Sequence, residues 1–233
     1  MIKDYFIFDG VNSASFNVIV DSADVFGKPA VGLSTVKIPG RHGELLLYDD
    51  RFDNVTVSYQ CHCDYHFRSR FDSLIMELAS KKGYKRLEDS VFPDHFRRAY
   101  FQGPVSAKLL RSYRAGSFKV DFRADPRKFL KAGELPLKYE ANGTIFNPTS
   151  FTAKPLIRCY GTGGAISVGG IWMGVSACSA YIDIDCELME AYEGDTNRNP
   201  NVGGDFPTLK PGANNVGFTG FSRIEITPRW WRI

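Results

Sequence analysis

Cys61, His62 and Cys63 stand in a row with His66 close by, the residue types that could hold a zinc ion. Structural zinc takes four converging ligands, usually from Cys-x-x-Cys pairs. In Val55–Cys63 the apolar Val55, Val57, Tyr59, Cys61 and Cys63 alternate with Thr56, Ser58, Gln60 and His62. That period of two predicts a half-buried strand, with both thiols on one side and His62 on the other. No second Cys pair follows at finger spacing, so core packing is the better reading and no metal is expected. Asp183 and Asp185 share one face of the strand Tyr181–Asp185, with Glu187 extending the row. Paired carboxylates serve glycosidases when they flank a substrate. Two on one strand fit a solvated face better, and no loop pattern supports calcium.

Gly161-Thr162-Gly163-Gly164 lacks the Lys-Ser/Thr and the helix that a phosphate cradle requires, so it reads as a turn. None of His42, His62, His66 and His95 lies in a nucleophile context, and no Gly-x-Ser-x-Gly elbow occurs. Catalytic, cofactor and metal residues are therefore all expected to be absent. Trp172, Trp230 and Trp231 could stack on sugars, but exposed Trp suits a protein interface better.

The elements that would carry these residues are mostly short strands separated by Gly, Pro, Asn and Asp. Expected strands in the first half are Tyr5–Phe8, Asn17–Val20, Thr35–Ile38, Glu44–Tyr48, Val55–Cys63, Tyr84–Leu87, Arg97–Gln102, Ala107–Tyr113 and Ser117–Arg123. One helix is predicted from Phe67, Phe71, Leu74, Ile75 and Leu78, with Lys81 and Lys82 at its end and Gly83 as a left-handed cap. Asp125-Pro126 then breaks the pattern. A boundary near residue 132 separates a first domain, 1–132, from a second, 133–233. The second reads as all β. Gly169-Gly170 joins Ala165–Val168 to Ile171–Gly174 as a hairpin that pairs Val168 with Ile171, Ile166 with Met173 and Ser167 with Trp172. Thr196–Gly204 reads as a loop without core residues, and Asn215–Phe218 and Arg223–Thr227 as closing strands.

Composition agrees with a globular protein: 233 residues, 43% hydrophobic, 24% charged. No stretch is long and apolar enough to span a membrane, and the opening residues meet Asp4 too soon for a signal peptide, which predicts synthesis in a cytosol without standard export. Five cysteines, an odd number without scaffold spacing, are read as reduced and buried. The net charge of +3 gives no footprint of a nucleic-acid binder. It is unevenly spread: +5 over residues 1–132 and −2 over 133–233. Ten basic residues between Arg97 and Lys131 face only Asp121 and Asp125. A solvated strand face explains them best; a surface for an acidic partner around Lys108, Arg111 and Arg114 is the sharper alternative.

The order of several segments resembles the distal tail (Dit) proteins of long, non-contractile-tailed phages. These segments are Lys37-Ile38-Pro39-Gly40-Arg41-His42-Gly43, Phe122-Arg123-Ala124-Asp125-Pro126-Arg127-Lys128-Phe129-Leu130, Asn142-Gly143-Thr144-Ile145-Phe146-Asn147-Pro148-Thr149, Lys154-Pro155-Leu156-Ile157, Tyr160-Gly161-Thr162-Gly163-Gly164, Ile182-Asp183-Ile184-Asp185-Cys186-Glu187, Asp205 through Asn214, and Thr227-Pro228-Arg229-Trp230. His42 departs from an expected acid. The resemblance implies an N-terminal β domain with one helix that forms a hexameric ring, and a C-terminal galectin-like β-sandwich. It implies a non-enzymatic hub of the virion's tail tip, assembled in the bacterial host cytoplasm. Such a hub joins the tail tube protein to the tail-tip or tail-associated lysin protein, lets DNA pass and in some phages holds a receptor-binding protein. It implies no cofactor, no specific nucleic-acid binding and no membrane insertion. A carbohydrate-binding adhesion protein is the alternative, although Asn197-Arg198-Asn199-Pro200-Asn201 lacks the His of a galectin sugar motif. A tail-tip hydrolase acting through a carboxylate such as Asp183 is a further rival.

Overall fold

The computed structural model describes residues 4–110 and 114–233 and is mainly β with a single α-helix, as the sequence predicts. The chain divides into two compact units: residues up to Lys128 with Ile233, and Phe129–Arg232.

In the first unit a sheet runs in the order Val11–Asn12, Phe6–Phe8, Lys85–Asp89, His95–Gln102, Gly116–Leu130, Val55–Cys63, Ile19–Asp24, and Ala107–Leu109 pairs with the start of Gly116–Leu130. The alternation in Val55–Cys63 holds: Val55, Val57, Tyr59, Cys61 and Cys63 are all buried. Phe6 stacks on Tyr59 at 4.9 Å and meets Phe122 edge-on at 5.5 Å. The helix, Phe67–Ser80, lays Phe67, Leu74 and Leu78 into this core, and Phe71 packs edge-on against Phe118 at 5.0 Å. Its end differs from expectation. Lys81 is the C-cap in an extended conformation, and Gly83 takes its positive φ of 74° two residues later.

Asp125-Pro126 does not break a strand. Gly116–Leu130 runs through it for 15 residues. The ladder with Val55–Cys63 ends at Ala124 opposite Val55, so the missing N–H of Pro126 costs that pairing nothing. The expected strand Ala107–Tyr113 is strand over Ala107–Leu109; its last three residues, with Arg111, lie outside the described residues.

The second unit is a sandwich. One sheet runs Leu137–Tyr139, Arg223–Thr227, Leu156–Tyr160, Tyr181–Asp185, Glu190–Glu193, Thr196–Asn197. The other runs Gly143–Asn147, Gly212–Thr219, Gly164–Val168, Ile171–Val175, Val202–Gly204. Ile157, Cys159, Ile182, Ile184, Ile224 and Ile226 from the first meet Ile145, Ile166, Val168, Met173 and Val216 from the second in one core. The Gly169-Gly170 hairpin has the expected register, Val168 to Ile171, Ser167 to Trp172 and Ile166 to Met173. The segment Thr196–Gly204 is not a bare loop. It holds two short strands and a turn of 3-10 helix, and Val202, opposite Val175, packs on the core.

Candidate assembly surface

The first unit carries a hairpin that belongs to neither core. Val31–Lys37 pairs with Glu44–Phe52 as a two-stranded sheet of its own. Its turn follows from sequence: Arg41 N–H donates to Ile38 C=O at 3.1 Å, with Pro39 at the second position and Gly40 at φ 79° at the third, a type II turn. Cross-strand partners share a face, so Leu33, Tyr48, Thr35 and Leu46 line one side and Ser34, Leu47, Val36 and Leu45 the other. Both sides are therefore apolar. No described side chain from Phe26 to Asn54 is buried; Leu46 and Leu47 are each 47% exposed and Tyr48 61%. Its charged side chains include the pairs Lys37–Glu44 at 3.7 Å and Arg51–Asp49 at 3.6 Å. A free two-stranded hairpin is marginal in water, and contiguous exposed apolar surface marks a binding face.

The residues that could have done chemistry are placed otherwise. Cys61 and Cys63 lie in the core, and burial pushes the Cys61 thiol up to about 12. His62 sits on the opposite face, 2.5 Å from Asp21 and 3.6 Å from Asp64. His66 is the helix N-cap at φ 54° and makes no side-chain cap bond. Among the described residues no three His, Cys, Asp or Glu side chains group as metal ligands.

Asp183 and Asp185 are not a solvated row; they are 4% and 5% exposed. Arg158 lies directly opposite Asp183 and grips it with two bonds of 2.7 Å, while Arg229 grips Asp185 with two more of 2.7 Å. Burial alone would raise the Asp185 pKa. The two Arg229 bonds and the N–H groups of Leu188 and Glu187 outweigh it and hold the carboxyl below its ordinary range. Each carboxylate is thus occupied by a structural fork rather than presented to a substrate.

Glu193 is a similar device. Desolvation opposes its charge, but N–H groups of Ala180 and Ser179 and the Arg198 guanidinium lower it to about 2. A depressed folded pKa contributes stability that is complete above about pH 5 and is lost as pH falls through the folded value. Glu193→Gln is expected to make the acid limb of stability between about pH 5 and pH 2 shallower, read by denaturant unfolding at a series of pH values.

The glycine run is a packing device too. Gly161 and Gly163 hold φ of 148° and 151°. A Cβ on Gly164 would sit 2.1 Å from the backbone oxygen of Thr219. Gly164→Ala is expected to destabilise the chain by about 2 kcal/mol in denaturant titration, since backbone cannot move aside cheaply.

The basic residues between Arg97 and Lys131 do not form one solvated face. Arg97 is buried and donates to Val25 C=O at 2.7 Å, Lys128 is buried over the Phe92 ring, and Arg127 forks onto Asp125. Lys108 and Arg114 are exposed. Nor are the terminal aromatics free: Trp230 is buried in the second core, and Trp231 stacks on Phe151 at 4.4 Å and donates to Thr152 C=O. Trp172 alone of the three is exposed, at 59%. No described helix is long and apolar enough to cross a membrane.

No family model and no curated protein matches the chain. Solved structures do. The chain is similar to the Dit (gp 19.1) protein of phage SPP1, presented as a paradigm of the hub adsorption apparatus of phages infecting Gram-positive bacteria. Identity is 13%, with 99% of each chain covered and a TM-score of 0.76. It is also similar to chains of the phage P2 baseplate in its activated conformation. With Ca the identity is 10%, coverage 97% of this chain and 98% of that one, and TM-score 0.53; with Sr they are 10%, 100%, 99% and 0.54. Along essentially its whole length the chain has the fold of a phage baseplate hub protein.

Proposed function

We propose that the chain is a structural subunit of a phage tail tip. Six copies close into a ring through the first domain, 1–132, one side of the ring receiving the tail tube protein and the other the tail-tip or tail-associated lysin protein, with DNA passing through. The second domain, 133–233, is a galectin-like sandwich free to hold a receptor-binding protein. The protein works without a cofactor or catalytic residue, in the virion, after assembly in the host cytoplasm.

The observation that carries this reading is the Val31–Phe52 hairpin, which presents apolar residues on both sides and has no described side chain buried on either. A closed ring is built from heterologous contacts, in which one surface of a subunit meets a different surface of the next. An arm with two apolar sides suits that role, whereas an isolated monomer would leave it in water. Native mass measurement of the purified chain tests it: a six-fold mass, alone or on adding the tail-tip partner, is expected, and a monomer under both conditions refutes the ring. Carbohydrate binding is the second reading, favoured by the surroundings of Trp172.

A further inference from the structure

Trp172 stands on the outer face of the five-stranded sheet of the second unit, and its setting is unusual for an exposed indole. A Cβ on Gly174 would lie 2.7 Å from the Trp172 Cζ/Cη edge, and one on Gly204 3.4 Å from its Cε3. The ring therefore lies across bare backbone, one face resting on glycine and the other open, which accounts for its 59% exposure. It borders a shallow depression of about 440 Å³ whose lining includes Gly174, Ser176, Asn201 and Gly203 and contains no ionisable residue. Across the sheet the same face continues through Ser167, opposite Trp172, and Gly217 beside it, then Ala165 and Thr219. Ser176 Oγ donates to Asn201 C=O at 3.0 Å, which fixes two polar groups at the rim.

We propose that this face binds a neutral carbohydrate chain, with one pyranose stacked on Trp172. A pyranose offers an apolar C–H face to a flat aromatic, and hydroxyls around its rim that need neutral donors and acceptors. Glycine under the ring, and Ser176 and Asn201 beside it, supply that combination. Anionic polymers would call for Lys or Arg, and the lining has neither. A protein-interface anchor sits among other apolar and aromatic side chains. Here the residues across the sheet from the indole are glycine, serine, alanine and threonine. Of the apolar residues in the lining, Val175 is buried and Val202 packs on the core, which leaves Pro200 as the exposed apolar neighbour. The open form of the depression suits an internal unit of a chain rather than an enclosed terminal sugar.

The test uses the full chain and neutral hexasaccharides of glucose, mannose, galactose and N-acetylglucosamine, with a hyaluronan hexasaccharide as charged control. Binding is followed by calorimetry and by Trp fluorescence. At least one neutral hexasaccharide binds, and Trp172→Ala weakens it by about 30-fold or more, the size of an aromatic hot spot. Gly174→Ala keeps the indole but puts a methyl where it rests, and weakens the same sugar, with unchanged thermal unfolding showing that the sandwich is intact. Absence of binding to every neutral hexasaccharide overturns the proposal. So does binding that survives Trp172→Ala, or a Trp172→Ala variant that loses self-assembly without any glycan affinity to lose. Ring formation is read separately by native mass, so either proposal can fail alone.

Discussion

Replacing Arg229 by methionine is expected to lower the unfolding free energy by about 3 kcal/mol, the low end of the range for breaking a buried ion pair. The Arg229 side chain is 21% exposed and that of Asp185 6%, so the carboxylate, not the guanidinium, bears the loss. Methionine preserves length and avoids β-branching at a residue whose φ is 58°. Asp185 would keep only the N–H groups of Glu187 and Leu188, too few for a buried charge. Its pKa would rise, so the deficit of the variant is largest at neutral pH and shrinks as the carboxyl protonates. Adding Asp185→Asn should recover part of the loss, because the uncompensated charge is gone; a double-mutant cycle in denaturant measures the coupling. A separate variant distinguishes scaffold from hydrolase. If Asp183 served cleavage of a cell-wall polymer, Asp183→Asn would abolish that activity while leaving stability nearly unchanged, the reverse of what its fork with Arg158 predicts.

That site shows where a sequence stops being legible. Alternation correctly puts Asp183 and Asp185 on one face of Tyr181–Asp185, but it does not say what covers that face. The covering groups, Arg158 and Arg229, lie 25 and 44 residues away and reach the acids only through sheet pairing and the chain's last turn. A lone Arg inside the apolar run Leu156-Ile157-Arg158-Cys159-Tyr160 was the available signal, since a buried-strand neighbour needs a partner for its charge. By contrast the Gly169-Gly170 hairpin and the Val55–Cys63 strand were legible because their determinants are local: a two-residue turn and a period of two. Asp125-Pro126 misled for the opposite reason. Proline forbids a ladder hydrogen bond, yet the ladder with Val55–Cys63 has already ended at Ala124 there. The Val31–Phe52 hairpin was legible as two strands but not as an arm, because apolar residues look alike whether the cover is their own chain or another.

That arm gives the other large expected effect. Leu46 and Leu47 project from opposite sides of the hairpin, and each is half exposed in the single chain. If neighbouring copies cover both, each leucine contributes about 0.7–1.5 kcal/mol to the contact, half the value for full burial because each is already half covered. The pair Leu46→Thr and Leu47→Thr removes that apolar surface while keeping strand preference, so the hairpin itself is not the casualty. The expected result is a contact weakened by a factor of about 10 to 10², read in native mass measurements as a shift from ring to monomer on dilution. Unfolding of the monomer should hardly change, because no described side chain between Phe26 and Asn54 is part of either core. Testing the leucines singly shows whether one side of the arm or both are covered. Loss from Leu46→Thr alone places the neighbour on the Leu33 and Tyr48 side, and loss from Leu47→Thr alone places it on the Val36 and Leu45 side. Equal loss from both means the arm lies between two layers of protein, which is the arrangement its composition favours. A ring that survives the double variant removes the hairpin from the interface and, with it, the observation on which the ring was proposed.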